Sequence, residues 1–395
     1  SISRIVQTKN RTFQIILFSF LILVISIAFA LVIIDPIWDK MGLHVPGEPE
    51  VKIDLTVPVD SIFYVRNATE GYKWSADAPT SIWFHPLPSM AIRFLPSFIP
   101  PNIRLWIASI FASLIAFICV FSYTNEIADR QISPKFILLI PLIPGAIGLV
   151  TGNAEWLCLL FTTLLLLSVI KNWNAWHPLL WGTLALLTKP NALYMIPVLG
   201  VYAYYAFISR KRGMLRNSIL GLLMISVVWI AWIMFVDVQS GQLGAYWQAR
   251  EIATVPLTFG PLSLLQRTVS VLAYTNDVGE KLKFLTALII PLVDLWLLLF
   301  IPLRKEVYRY AIIICLLTLI AVTFSVNNPN KIIVYVTTFP GHFAIGLIFL
   351  DTVFQRDPEN HVKSFFLNFI GIGYLAYCFA LILFFIIGTP LEWYY

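Results

Sequence analysis

Long apolar runs separated by short polar stretches recur from one end of the chain to the other. Many of these runs approach the ~20 residues that a helix needs to cross a bilayer. No period-two alternation accompanies them, so the pattern predicts spanning helices and not a barrel, the other structure that satisfies its own backbone in lipid. The expected spans are 13–34, 103–122, 136–151, 154–170, 177–188, 190–208, 217–237, 283–302, 310–325, 336–354 and 364–388, about eleven crossings by the length criterion. Those at 136–151 and 177–188 are short, and Pro141, Pro144 and Pro190 predict breaks or partial crossings there. The first run has basic residues before it, but it is long for a signal peptide and lacks a small-residue cleavage site, so it reads as a retained helix. The expected fold class is therefore all-α integral membrane, with one polytopic domain over 1–395.

Composition agrees with lipid as the solvent. Of 395 residues, 59% are hydrophobic and 12% charged, and the mean hydropathy is +0.81; an average soluble domain has roughly 45–50% apolar and 25% charged residues. The net charge of +6 does not point to nucleic acid, because basic residues in a membrane protein first report topology. With the N-terminus in the cytoplasm, the loops 1–12, 123–135, 171–176, 209–216, 303–309 and 355–363 lie inside and hold more than half of the 27 Lys and Arg, as the positive-inside rule asks. Two long segments then lie outside, 35–102 and 238–282, and long loops in a compact protein tend to carry function. Cys119, Cys158, Cys315 and Cys378 fall inside apolar runs and read as small packing residues. No disulfide is expected, and no metal, since no ligand cluster stands at recognisable spacing.

The first outer loop holds the densest candidate chemistry. Asp60 to Tyr72 predicts a short helix with Asp60 at its N-cap and Gly71 at its C-cap. Phe63, Tyr64, Trp74, Trp83 and Phe84 make the region amphipathic and suit it to the membrane surface. Prolines and aromatics in Trp83-Phe84-His85-Pro86-Leu87-Pro88 mark a rigid descent to the bilayer. Spacing leaves two roles open for Asp60. It is a helix cap, or a general base that takes a proton from a sugar or alcohol hydroxyl as that hydroxyl attacks.

Asp60, Tyr64, Gly71-Tyr72, Phe84-His85-Pro86-Leu87 and Arg93 together resemble the first-loop pattern of the PIG-V family, the GPI mannosyltransferase II type. That pattern runs Trp-Asp, an aromatic residue, Gly-Tyr, Phe-Phe-Pro-Leu and a basic residue. Later stretches are similar as well. Gly152-Asn153-Ala154-Glu155-Trp156 resembles the family's entry into a helix, and Leu184 to Asn191, with Lys189, its Ala-Leu-Thr-Arg-Ser-Asn segment. Trp247-Gln248-Ala249-Arg250 followed by Pro256, and Asn330-Lys331 with Tyr335 and Phe339-Pro340, complete the set. Val59 stands where the family has Trp, His85 where it has Phe, and Lys189 and Lys331 where it has Arg. Lys189-Pro190 also resembles bacterial polyprenyl-phosphate-mannose transferases.

The resemblance implies a GT-C-like bundle whose long first loop carries short interfacial helices. It implies an inverting transferase on the extracytoplasmic face that moves a hexose, mannose in the family, from a polyprenyl-phosphate sugar to a lipid-linked or glycan acceptor. Asp60 would be the base, with no cofactor beyond the donor. Lys189, Arg250 and Lys331 would supply positive charge to the departing phosphate, and Tyr64, His85, Asn153 and Glu155 would line the substrate site. Each has a plainer role. Lys189 is a snorkelling lysine at a helix end, Arg250 and Lys331 are solvated loop charges, His85 is a satisfied interfacial histidine, and Asn153 and Glu155 are helix caps. Asp294, in mid-span, is expensive in lipid unless paired and is a functional candidate on that ground; His342 reads as structural. Asn67-Ala68-Thr69 forms a glycosylation sequon. The competing function is a secondary transporter or lipid flippase, which should show paired repeats with polar residues at the midplane of both halves.

Overall fold

The computed structural model describes residues 59–74, 82, 84–136, 140, 143, 154–253, 270, 273, 289–325, 338–354 and 367–378. Of Asp60 and Arg250 only the backbone is described. The expected span 13–34 and most of 136–151 lie outside these residues, as do Asn153 and Lys331.

The described chain is helical, with no strand among the described residues. Two short helices, α1 (Val59–Glu70) and α2 (Pro86–Phe94), precede the long α3 (Pro101–Ile127). Then come α4 (Glu155–Ile170), α5 (Trp176–Thr188), a 3-10 turn (Pro190–Tyr194), α6 (Met195–Ile208), α7 (Arg212–Ser240) and α8 (Ala245–Ala253). A helical stretch at 289–297 leads to α9 (Glu306–Ser325), α10 (Pro340–Phe354) and α11 (Leu367–Cys378). Among the described residues, three helices are long and apolar enough to cross a membrane: Ile103–Ile127, Pro190–Ile208 and Arg212–Ser240. They match the expected spans 103–122, 190–208 and 217–237. The break expected at Pro190 is present: α5 stops at Thr188, and Pro190 opens the 3-10 turn that starts the next crossing.

Helices α3, α4 and α5 pack in series, α7 lies against α5 and α6, and α9 lies against α6. Trp156, fully buried, joins three of the elements by meeting the Phe117 ring of α3 at 5.4 Å and the Phe343 ring of α10 at 6.1 Å. Gly221 makes a close approach possible, because a Cβ there would stand 3.1 Å from both Leu165 and Leu199. Without strong hydrophobic driving force between helices in lipid, such small-residue contacts and interhelical polar bonds hold a bundle together. Asn217 Nδ2 donates to Ser168 O at 3.0 Å and to Trp173 O at 2.8 Å, which ties α7 to the end of α4. At the same end, Asp129 N donates to Pro302 O at 3.3 Å and Arg304 N to Ile127 O at 2.8 Å, a backbone clasp between the end of α3 and the loop before α9.

Asp294, whose partner was open in the sequence, is paired. Its Oδ2 lies 2.6 Å from His342 Nδ1, and both side chains are buried. Burial in lipid explains the pairing, since an isolated carboxylate there would cost several kcal/mol. His342 is thus structural in a specific sense: it holds α10 to the 289–297 stretch.

Candidate functional site

Helix α1 forms as its pattern predicts, with one shift. It begins at Val59, so Asp60 falls within the first turn and not ahead of it, a correction of its expected place as N-cap. Gly71 follows the helix at φ 81°, the left-handed conformation that a glycine tolerates and that commonly ends a helix. Arg93 completes the C-terminal cap from α2, its Nε donating to Ala68 O at 2.7 Å and its Nη2 to Asn67 O at 3.2 Å. Arg104 of α3 does the same for α2, its Nη1 reaching Ile92 O at 2.9 Å. Two successive arginines therefore pin the loop's helices onto α3. Asn67 lies inside α1 and is 1% exposed, so the sequon is not presented on a surface loop.

The apolar side of α1 faces the bundle. Tyr64 is buried with Phe84, Ile92, Leu105 and Ala154, its ring edge-on to Phe84 at 5.2 Å, while Phe63 stacks on Phe84 at 4.6 Å. These aromatics were expected at the membrane surface; instead they anchor the loop. Phe84 fixes its neighbour His85 at the start of α2, and Ala154 precedes Glu155 at the start of α4.

His85 is 1% exposed, not interfacial as the plainer expectation had it. Its Nδ1 donates to the carbonyl of Leu186 in the last turn of α5. The imidazole stacks on Trp229 at 6.0 Å and lies 5.3 Å from Trp232, both of α7. Burial, with the neighbouring Lys189 charge added, pushes its pKa down to about 3, against the pull of the Leu186 carbonyl. The ring is therefore neutral, with the proton on Nδ1 and a lone pair on Nε2. Nε2 is buried and has no hydrogen-bond partner among the described residues.

Three residues beyond Leu186, Lys189 caps the end of α5 in an extended conformation. It is not a snorkelling lysine. It is 7% exposed, and its Nζ pairs with Oε1 of Glu155. Glu155 is not a helix cap either; Ala154 holds that position without a side-chain bond, and the carboxylate turns to Lys189. The second carboxylate oxygen, Oε2, is buried and has no hydrogen-bond partner among the described residues. The turn between Thr188 and Met195 sets this geometry. Pro190 stops α5, so Lys189 leaves the helix sideways toward α4.

The described part of the second long segment, through α8, reaches the same end. Helix α8 lies on α7, with Tyr246 buried and edge-on to Trp229 at 5.2 Å, so Trp229 is in contact with both His85 and Tyr246. The expected loop position of Arg250 is corrected: it belongs to α8, one turn after Tyr246. Deeper along α4, Thr162 Oγ1 donates to Thr338 O at 3.1 Å, and the Tyr194 hydroxyl bonds both the carbonyl and the hydroxyl of Thr338.

The structure thus brings Tyr64, His85, Glu155 and Lys189 to one end of the bundle, with the backbones of α1 and α8 beside them. Two buried acceptor atoms and one ammonium group stand there, a set suited to sugar hydroxyls and a phosphate. Sequence reasoning missed Trp229 and Trp232, whose only signal was an i, i+3 aromatic pair on an apolar helix. Among the described residues, no three His, Cys, Asp or Glu side chains form a group able to hold a metal ion.

No known protein family or curated protein matches the sequence. Its structure is similar to the crystal structure of the Archaeoglobus fulgidus oligosaccharyltransferase, tethered with an acceptor peptide containing the NVT sequon via a disulfide bond. The TM-score is 0.51 at 12% identity, covering 94% of this chain and 55% of that one. The chain spans about half the length of this neighbour, and the likeness concerns the helical fold.

Proposed function

We propose that the chain is an inverting GT-C glycosyltransferase that moves a hexose, mannose by its resemblance to the PIG-V family, from a polyprenyl-phosphate sugar to a lipid-linked or glycan acceptor. The observation that carries this reading is the buried Lys189–Glu155 pair beside a His85 Nε2 that has no partner among the described residues, held under the first loop of the helical bundle. The orientation that fits places this end on the extracytoplasmic face.

In the proposed reaction Asp60 is the base, in α1 and one turn before Tyr64. Its carboxylate takes the proton of the acceptor hydroxyl, and that oxygen forms a bond to the anomeric carbon. The bond from that carbon to the phosphate oxygen breaks with its electron pair, releasing polyprenyl phosphate with inversion. The leaving group is already anionic and needs positive charge more than it needs a proton, and Lys189 supplies it. Arg250 and Lys331 are the further cations of this reading. His85 Nε2 and Glu155 Oε2 accept hydrogen bonds from sugar hydroxyls, and the spare lone pairs give the buried groups a reason to be there.

The test supplies radiolabelled polyprenyl-phosphate-mannose with membrane lipids to wild type and to Asp60→Asn. Transfer by wild type and its loss in the variant are expected. Unchanged transfer by Asp60→Asn removes Asp60 as base, and an absence of transfer from any polyprenyl donor returns the chain to the transporter reading.

A further inference from the structure

The opposite end of the bundle carries a pocket. Glu155 opens α4 and Ile170 closes it, so the two ends lie about 23 Å apart along that helix at 1.5 Å per residue. Around Ile170 lies a cavity of about 350 Å³ bordered by the last turn of α6, the first turn of α7 and the start of α9. Its volume falls in the ordinary range of small-molecule sites.

The lining is one-signed. Lys211 and Arg212 come from the turn into α7 and Lys305 from the turn before α9, and no carboxylate is among the lining residues. Lys211 Nζ donates to the Tyr205 hydroxyl at 3.0 Å and lies 4.7 Å from that ring, while Lys305 lies 5.7 Å from the Tyr308 ring. Two acids in the adjoining elements are engaged with other cations: Glu126 pairs with Lys171 at 2.9 Å and Glu306 with Arg309 at 3.3 Å. Burial and the adjacent Lys211 charge hold Lys305 below the usual lysine range. Arg210, in the left-handed region at φ 54°, turns the chain so that α7 starts at the pocket with its positive dipole end. Two lysines crowded together with a helix N-terminus, and no carboxylate among the described lining residues, make a site for an anion.

The surroundings say which anion. The adjoining turns of α6 and α9 expose Tyr204, Phe207, Ile208 and Tyr310, each more than half exposed, and side chains of that kind at a helix end belong against acyl chains or at the headgroup level. We propose that this pocket binds the phosphate of an anionic membrane lipid, with the headgroup between Lys211 and Lys305 and the acyl chains along the apolar faces of α6 and α9. Basic pockets between membrane helices recognise lipid headgroups through this combination of charge and flanking apolar surface. The site is separate from the one at the other end of α4 and stands whether or not that one transfers a sugar.

The test is native mass spectrometry of the delipidated full chain in detergent, titrated with phosphatidylglycerol, phosphatidylcholine or inorganic phosphate. Phosphatidylglycerol should be held about tenfold more tightly than phosphatidylcholine, the preference two partly screened lysines provide. The double variant Lys211→Gln/Lys305→Gln should lose that preference, and Lys135→Gln, an exposed lysine outside the pocket, should keep it. Equal preference in the double variant overturns the proposal. So does displacement of phosphatidylglycerol by inorganic phosphate alone, which would mark a free-anion site. A second measurement needs no variant: acetylation of Lys211 and Lys305 in wild type should be slower in vesicles containing phosphatidylglycerol than in pure phosphatidylcholine, and equal rates would count against the lipid.

Discussion

The ammonium of Lys189 sits on one oxygen of the Glu155 carboxylate and leaves the other oxygen buried without a partner among the described residues. Thirty-four residues separate the two in sequence, and the end of α5 and the start of α4 bring them together. An ion pair closed off in a protein interior is weak evidence for stability; one that keeps a spare acceptor oxygen is better suited to binding.

The pair gives the first prediction. Glu155→Ala leaves the Lys189 charge buried without its partner and should destabilise the protein by about 3–5 kcal/mol, the usual cost of breaking such a pair. Replacing both by apolar residues, as in Glu155→Leu/Lys189→Met, should recover a large part of that stability in thermal unfolding while abolishing glycosyl transfer. A double variant as active as wild type would refute a binding role for the pair.

His85 gives a pH dependence of definite sign. Its pKa is about 3 in the folded protein against an ordinary value of 6.5, so in this window the unfolded chain takes up a proton that the folded one refuses. Its contribution is fully present above pH 6.5 and is lost as the pH falls toward 3, by about 1.4 kcal/mol per pH unit. Unfolding midpoints of wild type and His85→Gln should therefore converge on acidification. A constant difference between them would mean that the imidazole is solvated.

Asp294 and His342 should behave as a packing pair. Asp294→Ala is expected to lower stability by about 3–5 kcal/mol, and His342→Ala on that background to cost little more. Independent, additive losses in the two single variants would show that the 2.6 Å contact contributes no coupling.

Arg93 is the clamp on the first loop. Arg93→Met removes two charge-assisted bonds to the end of α1, one at an exposed edge. It should raise the rate at which a protease cuts between α1 and α2, without altering the cutting of the α5–α6 turn. Equal cutting of the first loop in variant and wild type would show that Tyr64, Phe63 and Phe84 hold it unaided.

Helix class and three of the spans were legible because apolar length alone decides them: 103–122, 190–208 and 217–237 each sit within a helix of the right extent. The α1 helix and its glycine stop were legible from local chemistry, since Gly71 needs no distant partner to adopt φ 81°. The burial of His85 was not. Nothing in Phe84-His85-Pro86 reveals that Leu186, Trp229 and Trp232 wait for the ring, and a loop between aromatics and prolines looks the same on a surface as in a cleft. Lys189 and Glu155 were singled out for their types and motif positions, but their pairing depends on the tertiary path of α4 and α5. In each case a long-range partner replaced a local role, cap or snorkel, that short-range spacing made the default.

The backbone clasp between Ile127–Asp129 and Pro302–Arg304 has a mechanical consequence. Main-chain bonds of this kind do not depend on side-chain identity and survive most substitutions. The end of α3 and the start of α9 are thus riveted together, and relative tilting of these two helices must pivot about that rivet. Displacement then grows with distance from it and is greatest at the far tips, where the first loop and α4 hold His85 and Glu155.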